Sequence, residues 1–212
     1  MKIIPFLLFV FIATSAYSGQ PSIQGTLTSD YYLSPNNLYK INLPLSPNKF
    51  EYQEKIDPEK GKEYFTIFDE YEMQVSVLVT KINSKEDWVE GWWDSLEEEI
   101  DSPVGRIKVE KSISTDTNGN TSVLLIKGPV ELENNRILFV VNQIFVENGY
   151  IFDISATNHL ITKDMFNDKD TAAATAYAIA KINFRNFIEK FAVIKTKPNP
   201  YQAPGRQGRN SP

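Results

Sequence analysis

Along the chain the apolar positions change period several times, and each change marks an element. Residues 37–43 (NLYKINL) place Leu38, Tyr39, Ile41 and Leu43 in a strand that stops at Pro44. Residues 50–56 read as a second short strand, followed by a turn at Asp57-Pro58-Glu59-Lys60-Gly61. The β-branched and aromatic runs at 63–69 (EYFTIFD) and 73–82 (MQVSVLVTKI) predict two more strands. In the second, Val75, Val77 and Val79 share one face, and Ser76 and Thr80 fall on the other. At Ser84 the period becomes helical. Trp88, Val89, Trp92, Trp93, Leu96 and Ile100 recur at helical spacing, and Ser84 with Asp87 forms a box-like start. A helix is expected over 84–100, weakened by ~1 kcal/mol at Gly91 and closed by Asp101-Ser102-Pro103.

Alternation returns at 106–114 through Ile107, Val109 and Ile113. Asp116-Thr-Asn-Gly-Asn120 is a hairpin signal, because Asn-Gly supplies the positive φ angles of a tight primed turn. Residues 122–127 form the partner strand, Glu133-Asn134-Asn135 a turn, and 136–146 a long strand. Asn148-Gly149 then leads into 150–157, with Tyr150, Phe152, Ile154 and Ala156 inward and Asp153, Ser155 and Thr157 outward. Two consecutive Asn-Gly hairpins imply an antiparallel meander. A helical turn at 162–167 precedes a long helix at 170–192, capped by Asp168 or Asp170. Its apolar stripe is Ala172, Ala173, Ala176, Ile179, Ala180, Ile182, Phe187, Ile188 and Phe191. The fold class expected is α+β: a mainly antiparallel sheet of about six to eight strands, with a mid-chain helix and a long C-terminal helix packed on it.

The two ends differ from the middle. Residues 1–18 combine Lys2, an apolar stretch from Ile3 to Ile12 and small residues at Ala13, Ser15, Ala16 and Ser18, the pattern of a secretory signal peptide. Cleavage after Ala16 or after Ser18 fits the small-residue rule. The apolar stretch is short for a membrane anchor, and no other segment suggests an integral span. Residues 19–36 read as an extended lead-in, 37–194 as a single α+β domain, and 195–212 as a disordered, basic, Pro-rich tail.

Composition removes several chemistries. The chain has 212 residues, a formal charge of −5, one His and no Cys. Cys-based metal sites, thiolate catalysis and disulfides are thereby excluded, as is a two-His metal pair. The acidic balance argues against nucleic acid as the partner.

The order of elements resembles the PsbP/Mog1-like family of folds, which includes bacterial DcrB-type periplasmic proteins. The segments that carry the resemblance are LYKINLP (38–44), YFTIF and MQVSVLV within 64–79, the helix at 84–100, ILFVVNQIFVENGYIFDISAT (137–157) and INFRNFIEKF (182–191). The resemblance implies a sandwich fold and an accessory or partner-binding role without catalysis. Members include assembly factors and a binder of a small GTPase of nuclear transport. It transfers no binding residue to this chain. The basic tail and the three clustered Trp depart from the family pattern.

Two sets of residues stand out as partner-binding candidates. Trp88, Trp92, Trp93, Glu97, Glu98 and Asp101 give the 84–100 segment aromatic and acidic character. Trp is enriched in binding hot spots and acids steer basic partners. The plainer reading is a rim of the core and a solvated face. Lys195, Lys197, Arg206 and Arg209, among prolines, could contact an acidic surface or serve only to solubilise. His159 lacks any sequence-local nucleophile or second ligand; a catalytic role would need Asp153 or another strand-end acid to meet it in a cleft. Asp116 to Asn120 looks superficially like a calcium loop, but its twelfth position is Lys127, so the hairpin explains it. No metal, cofactor or catalytic residue is expected. The function expected is an exported, non-enzymatic, monomeric protein-binding module of bacterial origin, in the periplasm or outside the cell. The alternative is a small apolar-ligand or lipid carrier, with Trp92, Phe152 or Phe187 lining a cavity.

Overall fold

The computed structural model describes residues 24–43, 50–82, 94, 96–102, 105–117 and 120–194. Among them the chain forms two antiparallel sheets and one α-helix. The strands are β1 (Thr26–Leu27), β2 (Tyr31–Leu33), β3 (Tyr39–Asn42), β4 (Phe50–Asp57), β5 (Lys62–Asp69), β6 (Gln74–Lys81), β7 (Glu99–Ser102), β8 (Gly105–Thr115), β9 (Thr121–Glu131), β10 (Ile137–Glu147), β11 (Tyr150–Thr157) and β12 (Phe191–Val193). The helix α1 spans Lys169–Ile188, between β11 and β12. The larger sheet has the order β4-β5-β6-β11-β10-β9-β8-β7 and the smaller β1-β2-β3-β12.

Local chemistry accounts for most of the boundaries. Asn148 and Gly149 adopt φ of 52° and 79°, so the β10–β11 hairpin is closed by the primed turn its sequence demands. Asp116 ties the β8–β9 hairpin: its Oδ1 accepts the Asn120 N–H at 2.8 Å, and its own N–H donates to the Asn120 carbonyl at 3.0 Å. Asp168 is the N-cap of α1, accepting the Thr171 N–H at 2.7 Å. The helical turn ahead of it is a 3-10 turn at Lys163–Met165. Gly128 sits at φ 149°, where an added Cβ would lie 2.4 Å from the Phe139 ring. Only glycine lets β9 pass that aromatic side chain.

One face of the larger sheet carries the main core. Phe65, Ile67, Val75, Val77, Val79, Val141, Phe152, Ile154 and Ala156 lie under α1 and the smaller sheet. The helix presents Ala172, Ala176 and Ala180 near its start and Phe184 and Phe187 near its end, so it approaches closely at one end and fills a wider gap at the other. The smaller sheet joins through aromatic contacts: Tyr32 stacks on Phe65 at 3.7 Å, and Tyr39 on Phe191 at 5.4 Å.

Residues 24–36, expected as an extended lead-in, are extended in β1 and β2, and Tyr32 among them is fully buried. Three expectations are corrected. The predicted helix does not reach residue 100. Leu96–Glu98 are irregular and Glu99 and Ile100 belong to β7, paired with Lys108 and Ile107; the rest of that prediction, 84–93 and 95 included, lies outside the described residues. The C-terminal helix stops at Ile188. Phe191, predicted on its stripe, instead pairs with Ile41 in β12, and Ile182 points to solvent. Finally, the outward face of β11 is not a solvent face. The register puts Asp153 beside Ile144, and Ile144 beside Val123. Val109, Val123, Leu125 and Ile144 form a second buried cluster there, with Leu96 and Ile151 against it.

Candidate functional site

The candidate residues of the 84–100 segment separate on the structure. Trp88, Trp92 and Trp93 lie outside the described residues, as do Lys195, Lys197, Arg206 and Arg209. Glu97 and Glu98 are exposed just before β7, together with Asp94 and Glu99. The Glu98 carbonyl accepts the Val109 N–H at 2.7 Å, and Asp101 lies within β7 opposite Arg106. Glu99 meets Arg106 at 3.4 Å across the β7–β8 pair. An acidic approach to the terminal strand of the larger sheet is therefore present, carried among the described residues by the irregular stretch before β7 and by its first residue.

His159 does meet a strand-end acid, but Asp153 is not the one. Its Nε2 lies 3.1 Å from Oδ2 of Asp69, the last residue of β5. Asp69 Oδ1 accepts the N–H groups of Tyr71 at 3.0 Å and Met73 at 2.8 Å, and the Tyr71 ring meets the imidazole edge-on. The carboxylate thus clamps the β5–β6 turn, with the histidine as its third partner. Asp153 is instead mid-strand, accepting from the Asn142 amide at 3.0 Å. Burial raises its carboxyl above the usual range, against the opposing pull of Lys127 and that hydrogen bond. Burial likewise lowers the Lys127 ammonium, with Asp153 acting the other way. Among the described residues no three acid or histidine side chains gather as a metal site.

A second polar cluster joins the two sheets. Glu54 accepts from the Tyr32 hydroxyl and from the N–H groups of Gln24 and Gly25, while Asn36 donates to Glu63. Glu63 Oε2 and the Tyr39 hydroxyl are buried without a hydrogen-bond partner. Burial raises the Glu63 carboxyl; the Asn36 hydrogen bond opposes this and the Glu54 charge adds to it. Burial is also the largest cause of the raised Tyr32 and Tyr39 hydroxyls.

A concave feature of the surface lies elsewhere. A groove of about 350 Å³ opens where α1 ends and β12 begins. Its floor is the helix-bearing face of the larger sheet, through Ser114, Ser122, Gln143 and Phe145; Gln143 donates to the Ser122 hydroxyl at 2.7 Å. Ile188 supplies an apolar wall, and Phe191 and Val193 of β12 form one side. Asp116 and Glu147 also line it, and no Lys, Arg or His does so among the described residues.

Among the described residues β12 pairs with β3 alone, and no strand lies on its other edge. Asn42 N–H donates to the Lys190 carbonyl and Ile194 N–H to the Leu38 carbonyl, both at 2.9 Å. In an antiparallel pair the alternate residues then turn their N–H and C=O groups away. Those residues are Phe191 and Val193, which both line the groove.

Phe152 and Phe187, suggested as cavity liners, are packed core residues instead. Sequence reading missed the groove because it exists only once residues far apart in the chain have paired. It missed Asp69 as the partner of His159 for the same reason, although an Asp opening a turn is a familiar clamp.

The chain matches no protein-family model, and no curated protein is similar enough to count as a relative.

Proposed function

We propose that the chain is an exported, non-enzymatic protein-binding module, acting as a monomer, of bacterial origin and working in the periplasm or beyond the cell. The observation that carries this reading is the groove between α1 and β12. It combines apolar walls, amide and hydroxyl groups on its floor, and at its side a strand edge that no other strand covers among the described residues. Strand edges beside apolar pockets are a recurring means of holding peptide segments. The exposed acids Glu97, Glu98 and Glu99 would steer approach, with Asp101 and the Trp88, Trp92 and Trp93 group as a second contact surface and the basic tail as a third. The PsbP/Mog1-like resemblance belongs to the same reading. An antiparallel sheet with a long C-terminal helix on one face is in keeping with it. For export the support is the 1–18 pattern.

The test is affinity capture by the purified chain from periplasmic extract and from host-cell lysate, with Glu147→Lys and Glu97→Lys/Glu98→Lys variants alongside. A partner captured by the wild type and lost in a folded variant is the expected result. A partner retained equally by all three, or none at all, counts against it. The second reading, a carrier of a small apolar ligand, rests on the Phe145, Ile188 and Phe191 surfaces of the same groove. An apolar molecule seen by native mass spectrometry of the purified protein would favour it.

A further inference from the structure

The groove also specifies what kind of segment it would hold. Its lining brings Asp116 and Glu147 together with no base among the described residues. The Asp116 carboxylate accepts two hydrogen bonds from Asn120 of its own hairpin. Glu147 has no ion-pair partner among the described residues, so its charge is available to an incoming group. Phe191 and Val193, whose N–H and C=O groups turn away from β3, both line the same groove. These give a repeat of main-chain donors and acceptors that a compact ligand could not use in full but an extended backbone could. Phe145 and Ile188 offer apolar contact for alternate side chains of such a strand.

We propose that the groove takes an extended, basic peptide segment that adds to the free edge of β12, with a Lys or Arg side chain at Glu147. Main-chain hydrogen bonds to Phe191 and Val193 would hold the segment. The acids would select its charge. The proposal rests on the reading of the chain as a protein-binding module and names the partner of that same groove.

The experiment is fluorescence anisotropy with the full chain and a labelled peptide of alternating Lys and Val, beside a matched peptide of alternating Glu and Val. Two variants accompany the wild type. Glu147→Lys reverses the free charge. Val193→Pro deletes one outward N–H and leaves the bonds to β3 intact, a substitution that an edge strand accepts. Circular dichroism confirms that both are folded. The expected result is saturable binding of the Lys-Val peptide that weakens as salt rises, no binding of the Glu-Val peptide, and a loss of about tenfold or more in affinity for each variant. Failure of the wild type to bind the Lys-Val peptide overturns the proposal. Binding of the Glu-Val peptide in its place would overturn the charge assignment but leave the module reading standing. Loss in Glu147→Lys without loss in Val193→Pro would mean cation binding without strand addition, and also overturns it. A synthetic 195–212 peptide that binds more tightly than the Lys-Val probe would assign the groove to the chain's own tail. Concentration-dependent dimerisation abolished by Val193→Pro would assign it to a second copy. Either result excludes an external basic segment as the resident.

Discussion

Glu63 is the residue whose environment agrees least with its charge. It lies on the core side of β5, one oxygen held by Asn36 and the other without a donor. Burial raises its carboxyl above the usual carboxylate range, so the folded chain holds that proton more tightly than the unfolded one. The sign follows directly: stability falls as pH rises from the ordinary Glu value through the raised one. Glu63→Gln keeps the Asn36 contact within reach and removes the charge. It is expected to raise the melting temperature at pH 7 and to flatten the decline above about pH 4.5; a melting temperature equal to or below wild type at neutral pH would contradict this. None of it was legible in EYFTIFD, where Glu63 looks like a polar strand start. Its burial comes from β2 and β3, which arrive from another part of the chain. Asp116 behaves oppositely: rejected as a calcium ligand, it caps its own hairpin, and a five-residue window sufficed to show that.

At the scale of elements, local signals did best where a side chain closes the element on itself. The Asn148-Gly149 hairpin and the Asp168 cap lie where the sequence put them. Asp168→Ala leaves the Thr171 N–H without its partner and is expected to cost about 1 kcal/mol in denaturant unfolding, with most of the loss near the start of α1. Loss of Asp170 in its place should cost much less, since only Asp168 caps. The sequence misled where periodicity was the sole guide. Helical spacing ran on through Leu96 and Ile100, yet Ile100 pairs with Ile107 in a strand. The pairing follows from what β8 offers, an edge open to another strand, and tertiary hydrogen bonding outweighs local propensity by more than the fractions of a kcal/mol that separate helix formers. Phe191 shows the same effect: helix-compatible by spacing, it completes the smaller sheet beside Tyr39.

For the whole molecule, the sheet class was readable and the layering was not. Alternation counts strands, and Asn-Gly turns make them antiparallel, but which face meets which layer depends on register. The outward positions of β9 and β10 are therefore a second core cluster, and Asp153 and Asn142 make their hydrogen bond on that covered face. The groove lies beyond sequence reading altogether, because β8, β9, β10, α1 and β12 all contribute to it. Its side wall depends on β12. Removing residues from Phe191 onward should strip hydrogen-exchange protection from Tyr39–Asn42 while leaving β10 and β11 protected. Equal loss in both would mean that the two sheets melt as one unit.

The pairing of β12 with β3 sets an order of events in the cell. Phe191 must find Ile41 across most of the chain, whereas β8 to β11 can close through successive hairpins. Contacts of such high sequence separation form slowly, since the intervening chain must be ordered first. A ribosome that has released β3 still has most of the chain to make before its partner strand exists. Tyr39 and Ile41 therefore stay without that strand until synthesis is almost over. Export of the unfolded chain, as proposed above, would gain from that delay, because the last-made strand is what completes the smaller sheet.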